Sequence, residues 1–170
     1  MIDNLESEHH GLQAEHGLSF WIQSRQFSTL FDFGGSPKTF ENAQQLGLRF
    51  SELPAVVCSH SHYDHCGGFP YLLRHTKVGS LVTGASFFDP KYSFDGTKYT
   101  YLGAPFGLDL LQEQGISHQV CTEMLQLAEG CYVVGSFKRS YPLETIPRRF
   151  VSQTGQGFKQ DLFEDEICLA

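Results

Sequence analysis

Four side chains that commonly bind transition metals lie close together in the first half of the chain. They are three imidazoles and one carboxylate: His60, His62, Asp64 and His65. Zinc, iron and manganese all accept nitrogen and oxygen donors of these types. In extended backbone, alternate residues point the same way, so the first two histidines can share one metal and the other two residues can serve a second. Two such ions about 3.5–4 Å apart can hold both the attacking and the leaving oxygen of a displacement reaction.

The segment before these residues is predicted to be a buried strand. Residues 54–59 form a short, nearly continuous apolar run, and Gly67 and Gly68 follow the four candidate ligands. The ligands would therefore project from one tight loop at the carboxyl edge of a sheet, where α/β proteins commonly bind ligands. A chance cluster of solvated histidines is the alternative, and the position directly after a buried strand argues against it. The HExxH pattern of helical zinc sites is absent.

The remaining pattern alternates strands and helices, which predicts an α/β layered fold. Ser36 is a candidate N-cap with Pro37 at the first helical position, and Gly47 is a candidate stop for that helix. Residues 89–107 show no clear periodicity and are predicted to form a long functional loop. We expect strands at residues 18–23, 27–32, 78–83, 131–137 and 167–170, and helices at 37–46, 69–75 and 108–114. The short polar break at residues 24–26 predicts that the first two strands form a hairpin.

Length and composition limit the classes of function. A chain of 170 residues predicts one domain. The net charge of −7 disfavours a general nucleic-acid binder, because phosphate neutralisation needs a basic surface. No apolar run is long enough to span a bilayer, and the N-terminus does not resemble a signal peptide. The five cysteines show no CxxC spacing, which is typical of reduced thiols in a cytoplasmic protein.

Residues 59–68 resemble the HxHxDH signature of the metallo-β-lactamase fold superfamily, with every motif position filled. Residues 30–34 resemble the LxDxG strand end that precedes this motif. Residues 14–20 and 42–47 resemble one branch, which holds dihydropterin–ribofuranosylaminobenzene-phosphate synthase and many uncharacterised metal-dependent hydrolases. The similarity extends thinly as far as the acidic pair at residues 165 and 166.

The resemblance implies an αββα sandwich made of two βα halves, with two divalent metal ions in a cleft. Zinc is the first expectation, with iron or manganese as alternatives. His60 and His62 would bind the first ion, and Asp64 and His65 the second. Asp64 would also orient the attacking water or accept its proton. Asp32 would position the loop through hydrogen bonds, or would otherwise be an ordinary turn residue.

Branch resemblance also makes His16 a candidate pocket residue, with a capping or surface role as the alternative. Cys66 could lie near the metals, although a buried, inert thiol is the favoured interpretation. Two basic doublets, Lys138-Arg139 and Arg148-Arg149, could bind an anionic group of a small-molecule substrate, with solvated charge as the favoured alternative.

The superfamily completes its site with ligands from its second half, and here the pattern breaks. After His65 the sequence offers only His75 and His118, and neither lies in the expected type of segment. We therefore expect the N-terminal half to two-thirds of the sandwich, with one sheet face uncovered. The chain could be truncated, could pair with a complementing chain or copy, or could be a degenerate relative. An isolated chain is expected to be poorly soluble or oligomeric.

Two functions follow from these observations. The first is hydrolysis of an ester or phosphoester-type bond by a metal-activated water. The alternative is a catalytically incomplete fragment or pseudo-enzyme module that needs a partner chain. The complete first-half ligand set favours the first function, and the absent second-half ligands favour the second.

Overall fold

A computed structural model describes residues 1–5, 11–137, 143 and 145–170. Its helices are α1 (Lys38–Gln45), α2 (Tyr63–Cys66), α3 (Phe69–Leu72) and α4 (Leu108–Glu113). Its strands are β1 (Phe20–Gln23), β2 (Ser28–Phe31), β3 (Leu53–Val57), β4 (Val78–Gly84), β5 (Lys91–Phe94), β6 (Tyr99–Tyr101), β7 (Ser117–Cys121), β8 (Met124–Ala128), β9 (Cys131–Gly135), β10 (Phe150–Thr154), β11 (Gly157–Gln160) and β12 (Ile167–Leu169). The expected mixed α/β fold is confirmed. No helix in these described ranges is long and apolar enough to cross a membrane.

The largest sheet has five strands in the order β1-β2-β3-β4-β7. The predicted hairpin of β1 and β2 is confirmed as an antiparallel pair, and β2, β3, β4 and β7 run parallel. Parallel strands bring their carboxyl ends to one edge of the sheet. The predicted metal-binding motif follows β3 directly, so it lies at that edge.

The two faces of this sheet carry separate apolar clusters. Because alternate residues of a strand point to opposite faces, Val56 belongs to one cluster and Val57 to the other. The first cluster lies against the helices and includes Leu30, Val56, Leu81, Phe40, Leu72 and Leu111. The second lies against a three-stranded sheet of order β12-β9-β8 and includes Val57, Val82, Val133 and Ile167.

The expectation of an uncovered sheet face is wrong in part. The sheet of β8, β9 and β12 packs against the second face, and Val133 and Ile167 are buried there with Val57 and Val82. The strands expected at residues 131–137 and 167–170 are confirmed as β9 and β12 with shorter bounds, whereas β8 was missed because it is short and its side chains are all at least half-exposed. Alternation along such strands is hard to detect in sequence.

The prediction of a long irregular loop at residues 89–107 is wrong. This stretch contains the antiparallel hairpin of β5 and β6, joined by residues 95–98. Gly96 has a φ of 101°, and the Asp95 side chain accepts the backbone N–H groups of Thr97 and Lys98 at 2.9 and 2.8 Å. An Asp-Gly pair is a strong hairpin signal, and it was overlooked beside the surrounding aromatic residues. The hairpin belongs to a four-stranded sheet of order β11-β10-β5-β6.

Two helix boundaries differ from the sequence prediction. Helix α1 begins at Lys38, so Pro37 takes the cap position assigned to Ser36; the Ser36 hydroxyl still accepts the Lys38 N–H at 3.3 Å. The predicted stop at Gly47 is confirmed by its φ of 70°. Helix α3 ends after Leu72 instead of His75, because the chain continues there as a series of turns.

Candidate metal centre

The four predicted ligands line one cavity of about 560 Å³ at the end of β3. His60 and His62 lie in the short segment between β3 and α2, and Asp64 and His65 lie in α2 itself. The walls are completed by side chains from the β5–β6 hairpin, from the start of β10 and from three separate positions: Ser93, Phe94, Asp95, Arg149, Phe150, His16, Tyr63 and Leu102. The motif therefore lies at the base of a pocket that other parts of the chain enclose.

The three motif imidazoles are packed side by side. The ring centroid of His60 lies 4.9 Å from that of His62 and 4.2 Å from that of His65. The Nε2 of His65 lies 3.5 Å from Oδ2 of Asp64. Across the ranges that the structure describes, no group of three or more such donors is arranged to hold a metal ion. The donor types and their shared cavity fit divalent metal ions, but these residues do not form a closed coordination sphere.

Asp32 lies beneath the motif loop, fully buried, in the left-handed region at φ 60°. Its Oδ1 accepts the Ser59 backbone N–H at 2.6 Å. Its Oδ2 accepts the Ser59 hydroxyl at 2.8 Å and Nδ1–H of His65 at 2.7 Å. A carboxylate only accepts hydrogen bonds, so the His65 proton lies on Nδ1 and its Nε2 is available as a ligand. Asp32 has the contacts that the predicted positioning role requires.

The same network also determines the tautomer of His60. The Ser59 hydroxyl has a single proton, which it donates to Asp32, so it accepts a hydrogen bond from Nδ1 of His60 at 3.0 Å. The Nε2 of His60 then carries the free lone pair. One buried carboxylate thus sets the tautomers of two histidines, one directly and one through a serine.

Burial and neighbouring charges move the pKa values of these two histidines in opposite directions. Burial, followed by the charges of His65, His62 and Lys91, holds the pKa of His60 well below its ordinary value. Burial also acts to lower the pKa of His65, but the hydrogen bond and charge of Asp32 outweigh it, so that pKa is raised. His60 is therefore neutral at physiological pH, which is the state in which imidazole binds metals.

His16 lies at the rim of the cavity, with its Nε2 3.4 Å from Oδ2 of Asp64. Its side chain is 73% exposed, and its Nδ1 lies 3.2 Å from Oδ1 of Asn4. The next residue, Gly17, has a φ of 144°, and a Cβ there would lie 2.3 Å from the Asp64 carbonyl oxygen. This close approach requires glycine at position 17.

Three side chains near the motif were missed by the sequence analysis: Lys91, Asp161 and Asp165. All three are buried, and Lys91 pairs with both carboxylates. Asp165 also accepts the Ser61 N–H at 2.9 Å. Burial acts to raise the pKa of Asp161, but His62 and the Lys91 ammonium outweigh it and the pKa is lowered. In the sequence, only Asp165 could be noticed, as part of the acidic pair at residues 165 and 166. No local pattern connects Lys91 or Asp161 with the motif, because both are far from it in sequence.

The other weighed residues lie outside the cavity, with one exception. His75 is exposed and stacks on Phe40 with ring centroids 5.6 Å apart, and Nε2 of His118 lies 2.8 Å from the Thr83 hydroxyl. Cys66 is buried, and its pKa is raised well above the ordinary value by burial and by nearby carboxylates, as expected of an inert thiol. Arg149 lines the cavity, whereas the doublet at residues 138 and 139 lies outside the described residues.

Comparisons with known proteins identify relatives over most of the chain. The family model of the metallo-beta-lactamase superfamily matches residues 12–158. The uncharacterized protein MJ0448 of Methanocaldococcus jannaschii is 25% identical over 158 residues, which is 92% of this chain and 60% of that protein. The chain also resembles the crystal structure of Tm1679, a metal-dependent hydrolase of the beta-lactamase superfamily, with a sequence identity of 26% and a TM-score of 0.75. That match covers 99% of this chain and 58% of Tm1679. The chain therefore spans about three-fifths of the length of these relatives.

Proposed function

This chain belongs to the metallo-beta-lactamase superfamily, and from that membership we propose that it is all or part of a metal-dependent hydrolase. One observation carries the proposal. The four donor side chains of the motif line a single cavity at the carboxyl end of β3. The likeness to Tm1679, itself described as a metal-dependent hydrolase, supports the same class of reaction.

In this proposal the motif holds two divalent ions. His60 and His62 would hold one ion, and Asp64 and His65 the other. Zinc fits these donors, as do iron and manganese. The hydrogen bonds of Asp32 and Ser59 support the assignment, because they leave Nε2 of His60 and of His65 free to bind.

The bound ions would supply a water whose pKa is lowered from 15.7 to about 7. Asp64 is the carboxylate that would orient this water and accept its proton. His16 contacts Asp64 from the rim of the cavity and is placed to hold its side chain toward the pocket. Asp32 would keep His65 in one orientation throughout.

The substrate in this proposal is a small anionic molecule with an ester or phosphoester-type bond. A cavity of about 560 Å³ has the size of small-molecule sites. Arg149 lines it, and its guanidinium carbon lies 4.9 Å from the centre of the Phe150 ring, which restricts the side chain. A restrained guanidinium can make paired hydrogen bonds with a phosphate or carboxylate group.

The second candidate is a module that completes its site with another chain or another copy of itself. The observation that favours it is the lack, within the described part of the chain, of a group of three or more donors arranged for a metal. In that case the four motif residues supply part of a coordination sphere, and the remaining ligands come from a partner.

Metal analysis separates the two candidates. The chain is purified without chelators, and metal per chain is measured before and after dialysis against EDTA. Two retained ions support the hydrolase, and no ion or one freely lost ion supports the module. The paired variant His60→Ala/His62→Ala should lose metal, and His75→Ala/His118→Ala serves as control because both of its histidines lie outside the cavity. Loss of metal in the control variant as well would contradict the assignment of the site.

Hydrolysis of chromogenic phosphoesters then tests the substrate class. We expect Arg149→Ala to raise KM about 10-fold or more for phosphoesters and to leave neutral esters unchanged, because the lost charge-assisted bonds are specific to an anion. Arg74→Ala is a matched control, since Arg74 also lies 4.9 Å from an aromatic ring centre, that of Tyr71, outside the cavity. Equal effects of the two variants would refute an anionic substrate.

A further inference from the structure

Two buried polar atoms face each other beside the motif. Nε2 of His62 lies 3.8 Å from Oδ2 of Asp161, and the two residues are 7% and 4% exposed. Within the described residues, these two are among four buried side-chain atoms that make no hydrogen bond; the others are Oγ1 of Thr39 and Oγ of Ser61. Buried polar atoms rarely go without a hydrogen bond, so this facing pair needs a physical explanation even though Oδ2 of Asp161 also forms an ion pair with Lys91.

The Asp161 carboxylate is also held by Lys91. The Lys91 ammonium lies 3.4 Å from the same Oδ2, and it also contacts Oδ1 of Asp165. Asp165 in turn accepts the N–H of Ser61, and the Ile167 N–H donates to the carbonyl of Ser59 at 2.8 Å. The segment 161–167 is thus bound to the backbone of the motif loop itself. These contacts keep Asp161 beside His62.

The His62 ring is also confined by aromatic side chains. The ring of Phe163 lies 4.9 Å from it and the ring of Phe150 lies 5.3 Å from it, centroid to centroid. Phe163 has a φ of 55°, a conformation that bulky residues rarely adopt. Such a conformation persists only where the surroundings impose it, and here it places the aromatic ring against the motif histidines. The ring of His62 therefore cannot easily turn to exchange its two nitrogens.

We propose that Asp161 is a positioning residue that holds the proton of His62 on Nε2 and leaves Nδ1 as the metal-binding nitrogen. A carboxylate accepts hydrogen bonds only, so the nitrogen that faces it carries the proton. A histidine that binds metal commonly donates its other N–H to a carboxylate in this way. At 3.8 Å the contact is longer than a hydrogen bond, and a shift of about 1 Å would close it. The inference rests on the proposed function in one respect, that His62 is a metal ligand.

The tautomer of His62 can be measured without any metal. Nitrogen-15 NMR of the metal-free chain, with His62 assigned through His62→Gln, reports which ring nitrogen carries the proton. We expect the Nε2–H form to predominate in the wild-type chain and the Nδ1–H form to rise several-fold in Asp161→Asn, because the amide can donate to Nε2. Glu164→Gln is the control: it makes the same charge change in the same segment, but its side chain is 61% exposed and pairs with Lys159. A predominant Nδ1–H form in the wild-type chain, or no change in Asp161→Asn, would overturn the inference. If Asp161→Asn does not fold, the wild-type spectrum decides alone.

Zinc affinity gives an independent second readout, measured by competition with a chromogenic chelator. We expect Asp161→Asn to weaken binding about 10–100-fold and Glu164→Gln to change it less than about 2-fold. Equal affinities in wild type and Asp161→Asn would overturn the positioning role. If the wild-type chain binds no zinc, the proposed function fails, whereas the NMR result still decides whether Asp161 controls the proton of His62.

Discussion

Removal of the Asp32 carboxylate should destabilise the chain and weaken metal binding together. This side chain is fully buried and accepts three hydrogen bonds from the motif segment, two from Ser59 and one from His65, at 2.6–2.8 Å. Asp32→Ala leaves all three donors without their acceptor inside the protein. It also removes the charge that holds His65.

The magnitude follows from the burial of these groups. A hydrogen bond to a charged group contributes about 1.5–3 kcal/mol, and contributions within one network are not additive. Breaking a buried charged pair by removing one partner costs about 3–5 kcal/mol, and we expect Asp32→Ala to lower the free energy of unfolding by that amount. The left-handed backbone adds to this cost, because alanine adopts a positive φ less readily than aspartate.

Asp32→Asn provides a finer test. Asparagine has nearly the same shape and tolerates a φ of 60°, so the backbone is not strained. Its amide group keeps one accepting oxygen, but the amide nitrogen faces at least one of the three groups that donate to Asp32, and two donors cannot form a hydrogen bond with each other. We expect a loss of about 1–3 kcal/mol in stability. We also expect a 10–100-fold loss in metal affinity, because His65 and, through Ser59, His60 lose the group that sets their tautomers.

Two assays are needed for these variants. Urea unfolding of the metal-free chain measures stability, and chelator competition measures metal affinity. Asp109→Ala and Asp109→Asn are controls, since Asp109 is exposed and outside the cavity; each should change stability by less than about 0.5 kcal/mol. The reasoning is refuted if Asp32→Ala costs less than about 1 kcal/mol, or if Asp32→Asn binds zinc as tightly as the wild-type chain.

Two further predictions concern packing around the motif. Gly68→Ala should lower the free energy of unfolding by about 3 kcal/mol, because the new Cβ would lie 1.9 Å from the Phe33 carbonyl oxygen. In calorimetry the melting temperature should fall by about 6–12 °C. Gly155→Ala is the control, because no atom lies within 4 Å of the added Cβ, and it should melt within about 1–2 °C of the wild type. Equal shifts in melting temperature for the two variants would contradict the close approach of Gly68 to Phe33. In thiol labelling of the native, reduced chain, the half-exposed cysteines should react well before the buried ones, because burial blocks access of the reagent to the thiol. Uniform rates would refute this burial. The expected fast pair is Cys131 and Cys168, and the expected slow set is Cys58, Cys66 and Cys121.

The sequence alone was sufficient for the local features of the site. The buried strand β3, the hairpin of β1 and β2, and the motif that follows β3 are encoded by neighbouring residues, because strand alternation and turn chemistry act over a few positions. The motif donors could be named for the same reason, since their spacing is local. Asp32 was identified through the resemblance of residues 30–34 to the strand end that precedes the family motif, and its contacts with Ser59 and His65 follow from the adjacency of two parallel strands.

Only the tertiary structure brings Lys91, Asp161 and Asp165 to the motif. Lys91 is paired with Ser152 in the register of β5 and β10, and the chain reaches Asp161 after β11. Pairing between strands about 60 residues apart depends on how the whole chain packs, and no local pattern specifies it. The histidines that can bind metal are therefore visible in the sequence. The charged groups that orient one of them become apparent only when the distant strands are folded against the loop.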